Sequence, residues 1–426
     1  MNRRYFFLAA AASTFVPRRV AANDKVTVAM MGINGRARTL AKWFGALPDV
    51  RIPVVCDVDS NVVGPVIKLV SESQGAEPVL ESDIRRVLDD KSVDAIVMAT
   101  PIHWHAAGTI MACDAGKDVY VEKPVSHNIW EGRLAVEAAR RNKRIVQHGT
   151  QSRSRPVAEH FVEVCRSGKL GKVLMAKVMD CQMRRNISHR EDEPVPAGID
   201  YDTWTGPVPM MPFNRNRYHG TVNWHWHYGG GDMINDSVHF VDIARWALGV
   251  DYPVEVTGMG RKLYFDDDQQ TPDTMNITFN YPDKVIHYEH RLWNPYRLEG
   301  SENTVAAYGT DGYAQIGRWQ GGHYELRVFD SKGAMVLSDR EPEPETTYHA
   351  RNFIDCVKSR KAPNAEIEIG HVSSAVCHLG NIVARTGRQL KFDGRTETII
   401  DDADSSRYLD RVYREHWSTP KGARIA

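Results

Sequence analysis

The tripeptide Glu122-Lys123-Pro124 offers the side chain best suited to chemistry in this chain. It follows the β-rich run Asp118-Val119-Tyr120-Val121, so Lys123 lies where a strand ends. Ligands of open α/β sheets bind outside the carboxyl ends of the strands. A cationic donor at that edge can hold a substrate hydroxyl and withdraw its proton. Most lysines are solvated surface residues, so the assignment depends on the neighbouring elements.

A second candidate is the connection Gly32-Ile33-Asn34-Gly35-Arg36-Ala37, between the first predicted strand and its helix. A dinucleotide pyrophosphate binds at such a helix N-terminus, where glycine lets the backbone approach. The match to Gly-x-Gly-x-x-Gly is incomplete, because Asn34 and Ala37 replace the second and third glycines. Its position between a strand and a helix still predicts a bound dinucleotide.

Asp57 indicates which dinucleotide this is. It ends the second predicted strand, 25 residues after Gly32. A carboxylate there accepts hydrogen bonds from the adenosine ribose, which favours NAD over NADP. Arg36 and Arg38 could bind a 2′-phosphate instead, so NADP stays open as the alternative. Thr100-Pro101, at the end of the third predicted strand, adds an edge loop to the cofactor site.

A third candidate is the run from Gly229 to Asp242, which begins with three glycines and continues into a predicted helix. Asn235, His239 and Asp242 fall at i, i+4 and i+7, so they share one helical face. A helix that presents asparagine and histidine beyond a glycine loop is typical of a site wall. A single histidine of this kind is nevertheless more often a satisfied structural residue.

Metal binding is the rival hypothesis for the same region. His225 and His227 lie close upstream of His239, and three histidines could form a catalytic zinc site. Trp224 and Trp226 interleave the first two histidines, which indicates an aromatic wall instead. We therefore predict no metal.

The elements that must position these residues fall into two groups. Residues 25–150 alternate between strands and helices, which predicts a parallel sheet with strands at 26–31, 51–56, 94–99, 119–121 and 145–147. After a predicted helix at 157–165 and a predicted strand at 173–179, the alternation of strands and helices ends. Residues 181–232 are irregular but too aromatic to be disordered. Residues 254–339 predict an antiparallel sheet with turns, and residues 348–390 return to helix.

The fold class expected from this order is α/β, with a doubly wound parallel sheet followed by a domain with a large, mostly antiparallel open sheet. The predicted domains are residues 23–150 and 151–426, after a signal segment at residues 1–22. Arg3-Arg4 and a short apolar run form a twin-arginine pattern, which predicts export to the periplasm or beyond. That apolar run is too short to span a bilayer.

Composition excludes some partners. The chain has 54 basic and 54 acidic residues, which argues against a nucleic-acid partner. Its six cysteines include no Cys-x-x-Cys pair, so we expect buried thiols and no disulfide framework.

Three motifs together resemble a known family. Glu122-Lys123-Pro124, the run Ala99-Thr100-Pro101-Ile102-His103-Trp104-His105-Ala106 and the pattern Gly-Gly-Gly-Asp…His-x-x-Asp at 229–242 are similar to the glucose–fructose oxidoreductase, inositol dehydrogenase and rhizopine-catabolism (Gfo/Idh/MocA) family, in particular its exported branch. The blocks 198–207 and 352–355 are similar to further segments of that branch. The resemblance runs from about residue 26 to residue 417 and is specific only in combination.

The resemblance implies a Rossmann domain, an α/β domain whose open sheet mediates homo-oligomers, and a site between them. Lys123 and His239 would be catalytic, working on a sugar or polyol hydroxyl. Many dehydrogenases of the family have aspartate four residues before that histidine. Asn235 stands there in this chain, with Asp236 one place later, so the proton relay differs. We count Asn235 and Asp236 with the catalytic set.

The remaining predicted contacts belong to cofactor and substrate. The cofactor set is Gly32, Ile33, Asn34, Gly35, Arg36, Asp57, Thr100, Pro101, Trp104, His105, Glu122, Lys123 and Gln151. The side chains predicted to stack on sugar faces are Trp204, Tyr218, Trp224, Trp226 and Tyr228, although core packing is the commoner fate of any one of them.

Three functions are compatible with these features. The first is hydride transfer from a secondary carbinol of a sugar, polyol or glycoside to NAD. The second is glycoside hydrolysis through transient oxidation, elimination, water addition and re-reduction, which needs no carboxylate pair. The third is a sugar-binding protein that holds a cofactor without turnover. Export favours a tightly bound cofactor that each cycle restores, because no NADH-oxidising pool exists outside the cytoplasm.

Overall fold

The alternating strands and helices of the first 150 residues form a six-stranded parallel sheet. The computed structural model describes residues 25–294, 296, 301, 303–319, 323–341 and 347–426. The predicted signal segment at residues 1–22 lies outside them. The strands are β1 (Val26–Met31), β2 (Val50–Cys56), β3 (Val79–Glu81), β4 (Ala95–Met98), β5 (Asp118–Val121) and β6 (Val146–His148). Their order, β3-β2-β1-β4-β5-β6, is that of a doubly wound dinucleotide-binding sheet.

Helices cover both faces of this sheet. They are α1 (Ala37–Gly45), α2 (Gly64–Gln74), α3 (Ile84–Asp89), α4 (Ile102–Asp114) and α5 (Ile129–Arg141). All six residues of β1 are buried. Val28 and Met30 pack in the core that contains α1, whereas Ala29 and Met31 pack with α4 on the other face. A strand that is buried on both faces needs a continuous apolar run, which explains why β1 could be predicted from the sequence.

The second sheet has ten strands and is mostly antiparallel, as predicted. Its strands are β7 (Val173–Asp180), β8 (Glu255–Arg261), β9 (Thr274–Asn280), β10 (Val285–Arg291), β11 (Asn303–Gly309), β12 (Gly312–Arg318), β13 (Tyr324–Asp330), β14 (Met335–Arg340), β15 (Leu390–Asp393) and β16 (Thr398–Ile399). Their order is β14-β13-β12-β11-β7-β10-β9-β8-β15-β16, with β7 and β10 parallel. A small parallel pair, β17 (Val412–Tyr413) and β18 (Arg424–Ile425), lies near the C-terminus.

The remaining helices are α6 (Pro156–Arg166), α7 (Tyr201–Thr205), α8 (Asp232–Asn235), α9 (Ser237–Leu248), α10 (Tyr348–Ser359), α11 (Ile367–Thr386) and α12 (Ala403–Ser406). Short 3₁₀ helices occupy Gln151–Ser154, Arg215–Arg217 and His219–Trp224. Helices α6, α9 and α11 pack on one face of the large sheet. Along β9 and β10 each buried residue alternates with a half-buried one, so the other face is open in this chain.

Helix α10 returns to the parallel sheet. Phe353 packs edge-on against Phe44 of α1, with ring centroids 6.1 Å apart, and lies 6.0 Å from the Tyr120 ring of β5. The tail therefore contributes to the N-terminal core. Within the described residues, no helix combines the length and the apolar character needed to cross a membrane.

Candidate functional site

One continuous cleft follows the carboxyl ends of β1, β2 and β4. Its outer part, about 590 Å³, lies between Gly32, Asp57 and Trp104, and its inner part, about 820 Å³, reaches Lys123 and Asn235. The two parts have a common wall of Asn34, Ala99, Thr100, Pro101 and His219. The crevice therefore joins the loop after β1 to the lysine that the sequence singled out.

The glycine loop is shaped by close backbone contacts. Gly32 has φ 75° and Gly35 has φ 40°. A Cβ atom on Gly32 would lie 2.6 Å from the main-chain nitrogen of Thr100, at the end of β4. No described atom lies within 4 Å of a Cβ placed on Gly35, which faces the open cleft. The chain thus forms a cradle at the N-terminus of α1 that fits a dinucleotide pyrophosphate.

Asp57 closes the far end of this cradle. Its Oδ2 accepts a hydrogen bond from the amide of Ile33 at 2.7 Å, and its Oδ1 accepts one from the amide of Asp59 at 3.0 Å. Burial raises the pKa of the Asp57 carboxyl, and these two amide donors oppose the shift. The carboxylate lines the outer cleft, where a ribose would lie.

Arg36 contacts a different group from the 2′-phosphate considered for it. Its Nε donates to Oε1 of Glu122 at 2.7 Å, and its guanidinium lies 4.5 Å from the ring centroid of Trp43. Burial disfavours ionisation of Glu122, but the charge and hydrogen bond of Arg36, together with the charges of Lys123 and His239, lower the pKa of Glu122 to about 2. Gln151 also donates to Glu122 Oε1, at 3.1 Å. Arg36, Glu122 and Gln151 thus form one charged network below the cleft.

Lys123 is aimed at the end of α8. Its Nζ donates to the main-chain oxygen of Asn235 and, at 3.0 Å, to the Oδ1 of the same residue. Oδ1 of Asp236 lies 3.9 Å from Nζ. Only 15% of the lysine side chain is exposed. The structure therefore brings together three of the four predicted catalytic residues around one ammonium group.

The prediction of one helix through Asn235, His239 and Asp242 is wrong. Helix α8 ends at Asn235 and α9 begins at Ser237, with a break at Asp236. Asp242 points away from the cleft, and its carboxylate accepts two hydrogen bonds from the Arg153 guanidinium group at 2.7 and 3.0 Å. The buried cation of Arg153 fixes Asp242 in the core, so the three side chains do not share a face.

His239 is half-buried on α9, and its titration responds to the same group of charges. Burial lowers its pKa to about 4, the Lys123 charge lowers it as well, and the Asp236 carboxylate opposes both. The imidazole is therefore neutral at physiological pH. A neutral imidazole can accept a proton.

A carboxylate cluster behind Lys123 was missed from the sequence. Asp232 is fully buried, and its carboxylate accepts hydrogen bonds from Nε and a terminal nitrogen of Arg184 at 2.7 and 3.0 Å. Arg184 also contacts Asp236. Burial, with the charges of Asp232 and Asp236, raises the pKa of Asp180 to about 8. The sequence indicates Asp236 as catalytic and places Asp232 within the glycine motif, but it does not predict their contact with Arg184 and Asp180, the last residue of β7.

The carboxylate cluster explains why residue 235 is an asparagine and not an aspartate. Its Oδ1 accepts from Lys123, and its Nδ2 donates to Oδ1 of Asp232 at 3.0 Å. An aspartate could accept from the lysine but would set two carboxylates against each other. The amide is therefore the side chain that bridges a cation and a buried acid.

Replacing Asn235 with aspartate is a direct test of this bridge. We expect Asn235→Asp to lower the free energy of unfolding by about 1–3 kcal/mol, because the buried Asp232 loses its donor and faces a like charge. Asn364→Asp is the matched control and should have little effect, because Asn364 is exposed and its Nδ2 lies 3.4 Å from the Ser154 hydroxyl and not beside a carboxylate. Chemical denaturation near neutral pH measures both variants. Equal stability of Asn235→Asp and the parent would contradict the bridge.

Trp104 and His105 are both at the cleft. The Trp104 indole donates to the main-chain oxygen of Trp204 at 2.9 Å and lines the outer part. His105 lines the inner part, with its ring nitrogens 2.6 Å from the oxygen of Pro124 and 2.9 Å from that of Thr100. His105 thus ties the loop after β4 to the segment that carries Lys123.

The predicted sugar-stacking aromatics are mostly core residues. Tyr228 is fully buried, and Trp224 packs in a small separate cluster with Phe265. Trp204 and Tyr218 belong to one aromatic cluster, in which only Trp204 reaches the outer cleft. Trp226 lines a different cavity. Core packing therefore occupies the rings of Tyr218, Trp224 and Tyr228, which corrects the sugar-stacking role predicted for these three.

The hypothetical zinc triad is not assembled. Nε2 of His227 lies 2.7 Å from the oxygen of Pro209, and His225 is buried close to Trp224. Across the described ranges, no three histidine, cysteine, aspartate or glutamate side chains are grouped as metal ligands. All six cysteines are buried and free.

Comparison with family models gives two adjoining matches. Residues 26–150 match the Gfo/Idh/MocA model described as "Oxidoreductase family, NAD-binding Rossmann fold". Residues 172–419 match the model described as "Oxidoreductase family, C-terminal alpha/beta domain". Together the matches cover most of the chain.

Individual relatives are more distant. A scyllo-inositol 2-dehydrogenase (NAD(+)) of Bacillus subtilis is 25% identical over 313 residues, which cover 71% of this chain and 79% of that protein. A glycosyl hydrolase family 109 protein of Saccharopolyspora erythraea is 29% identical over 160 residues, but only 34% of its length is covered. The crystal structure of an aldose-aldose oxidoreductase from Caulobacter crescentus, complexed with glycerol, has a TM-score of 0.66 at 19% identity, and the match covers 86% of this chain and all of that one.

Proposed function

We propose that this chain, which belongs to the Gfo/Idh/MocA family of oxidoreductases with an NAD-binding Rossmann fold, oxidises a secondary hydroxyl of a sugar, polyol or glycoside. The observation that carries the proposal is the crevice that joins the glycine loop after β1 to Lys123 and Asn235. The substrate class rests on the relatives, one of which is named for a polyol.

The residues of the cleft divide the work of such a reaction. A bound nicotinamide would supply the hydride acceptor. Lys123 would donate a hydrogen bond to the reacting oxygen and stabilise the charge that develops on it. His239 would accept the hydroxyl proton, which leaves a carbonyl compound as product. Asn235 and Asp236 would position the Lys123 ammonium group.

The acidity of His239 sets the expected pH profile. A general base acts only when it is neutral, and the pKa of His239 is about 4, against 6.5 for an ordinary histidine. We expect kcat/KM to rise as the pH rises through about 4 and to stay level from pH 5 to pH 7. Circular dichroism at each pH shows whether the protein is still folded, which separates the titration of His239 from acid unfolding. A limb centred near 6.5 would contradict the assignment.

NAD is the cofactor that we propose, and we propose that it is retained. Asp57 is at the ribose end of the cleft, and Arg36 is committed to Glu122 and not to a 2′-phosphate. The segment of residues 198–224 lies against the N-terminal domain at the mouth of the cleft. His219 in this segment lines both parts of the cleft and donates from Nε2 to Asp59 Oδ2 at 2.8 Å.

Removing one hydroxyl should loosen this covering segment. The Tyr218 hydroxyl donates to the buried Asp59 at 3.1 Å. We expect Tyr218→Phe to speed dissociation of NAD about tenfold, since a hydrogen bond to a charged group contributes about 1.5–3 kcal/mol. Tyr201→Phe is the matched control, because its hydroxyl lies in the same cluster but 3.4 Å from Tyr228. Stopped-flow displacement of NAD measures both. Equal rates for the two variants would contradict the role of this segment.

A redox glycosidase is the second candidate. It is favoured by the relatives named glycosyl hydrolase family 109 proteins, although the match spans about a third of their length. The same Lys123 and His239 would then manage protons during elimination and water addition.

One experiment separates the candidates. The purified protein is incubated with inositols, free sugars and aryl glycosides while absorbance is followed at the reduced-nicotinamide band. A lasting change supports the dehydrogenase, and a transient change with aglycone release supports the glycosidase. No change with any compound, although the cofactor is bound, would favour a non-catalytic binding protein and overturn the proposal.

Two further proposals concern the mature protein. Export rests on the Arg3-Arg4 pattern, and mass analysis of the mature N-terminus tests it. Homo-oligomerisation through the large sheet rests on its open face, where the half-buried residues of β9 and β10 lie. Sedimentation analysis tests it.

A further inference from the structure

A second cavity lies behind the triple-glycine loop and has no lining residue in common with the catalytic cleft. Counted with the space that is open to solvent, its volume is about 1290 Å³. It is formed mainly by the residues just before α5, the segment around Trp226, the last turns of α11 and the C-terminal stretch from Arg407 to Val412. Met211, Ile234, Gln270 and Arg424 complete the lining. A concavity built from such distant segments is typical of a small-molecule site.

The glycine loop separates the two cavities. The main-chain oxygen of Asn223, which lines the catalytic cleft, accepts from the amide of Gly230 at 3.1 Å. Gly230 lines the second cavity, and its oxygen accepts from Nδ2 of Asn381 at 2.8 Å. The cavity is therefore a neighbour of the catalytic cleft and not an extension of it.

Positive charge exceeds negative charge in the second cavity. Its charged lining residues are Arg385, Arg407, Arg411, Arg424 and Asp410. Arg424 and Asp410 neutralise each other at 3.0 Å. Arg411 donates to the main-chain oxygen of His227 at 2.8 Å. Among the residues that the structure describes, neither Arg385 nor Arg407 has a carboxylate partner.

Arg385 is held by aromatic rings in place of a counter-ion. Its guanidinium carbon lies 4.8 Å from the Trp226 ring centroid and 4.1 Å from that of Tyr408. Arg385 and Arg407 are both exposed to solvent, so an anion can reach either guanidinium group. Two rings thus fix a guanidinium fork whose charge is not compensated by the chain. Such a fork matches the geometry of phosphate and carboxylate.

Neutral histidines complete the lining. Burial lowers the pKa of His378 to about 4 and places that of His127 well below its ordinary value. They add polar, uncharged ring nitrogens around the arginines. The chemistry of the wall is therefore cationic and aromatic with neutral polar groups.

We infer that this cavity binds a small organic anion, through a phosphate or carboxylate group held by Arg385 and Arg407. The site is separate from the cofactor cleft, and the inference does not depend on the proposed reaction. The volume accommodates a ligand of sugar size beside the oxyanion.

The test uses protein saturated with NAD, so that the phosphate sites of the cofactor cleft are filled. Pyrophosphate and glucuronate are titrated by calorimetry, with potassium chloride added to keep ionic strength constant. We expect saturable binding of at least one probe. Binding of pyrophosphate alone assigns a phosphorylated ligand, and binding of glucuronate alone assigns a carboxylated one.

Three variants locate the binding. The double variant Arg385→Gln/Arg407→Gln should weaken it at least about tenfold, the loss expected for a charge-assisted contact. Arg388→Gln is the matched control, since Arg388 is exposed and pairs with Asp402 outside the cavity. Lys123→Ala should also bind normally. No saturable binding, equal loss in Arg388→Gln, or loss in Lys123→Ala with retention in the double variant would overturn the inference.

Discussion

Lys123→Ala is expected to lower kcat about a hundredfold to a thousandfold while NAD stays bound, because one preorganised donor at a developing oxyanion contributes about 10²–10³ in rate. The Lys123 side chain is 15% exposed, and its ammonium group is directed by Asn235 and Asp236. Gly32, Asp57 and Thr100 line the outer cleft, where we propose that the cofactor binds, and the substitution does not touch them.

The loss should appear in kcat and not in cofactor affinity. Lys68→Ala is the matched control, since the Lys68 side chain is 77% exposed on α2 and should be kinetically silent. Single-turnover measurements with preloaded NAD separate chemistry from binding. Turnover at the parental rate in Lys123→Ala would remove this lysine from the mechanism.

Gly32→Ala is expected to have the second largest effect, on both stability and cofactor binding. The added Cβ would lie 2.6 Å from the nitrogen and 2.7 Å from the Cα of Thr100, and both are backbone atoms that cannot rotate away. The residue would also keep φ at 75°, which strains an L side chain. We expect the free energy of unfolding to fall by about 3 kcal/mol, from strain and overpacking together.

Cofactor affinity should fall with it, because the loop after β1 and the end of β4 would move apart. We expect NAD to bind at least about tenfold more weakly, which corresponds to about 1.4 kcal/mol. Gly75→Ala is the matched control: φ is 70° there too, but no described atom lies within 4 Å of the new Cβ. Gly75→Ala measures the strain alone. Equal stability losses in the two variants would contradict the contact with Thr100.

Much of the fold was predictable because its signals are local. Strand β1 is apolar throughout since both its faces are buried, and its bounds match the sequence prediction. Strand β3 was missed because it has three residues, and Val79 and Leu80 in it are exposed, so no burial pattern marks it. Lys123 was found because a strand end followed by Glu-Lys-Pro is visible in one short segment.

The sequence by itself therefore determined the fold class, the family and the position of Lys123 after a strand, since each depends on neighbours along the chain. The tertiary structure decided which charges meet. Arg36 reaches Glu122 across 86 positions and Arg184 reaches Asp236 across 52, and only packing of the whole chain brings them together. The break between α8 and α9 and the amide at Asn235 also depend on contacts between residues that are distant in sequence. Such contacts become visible only when the chain is folded.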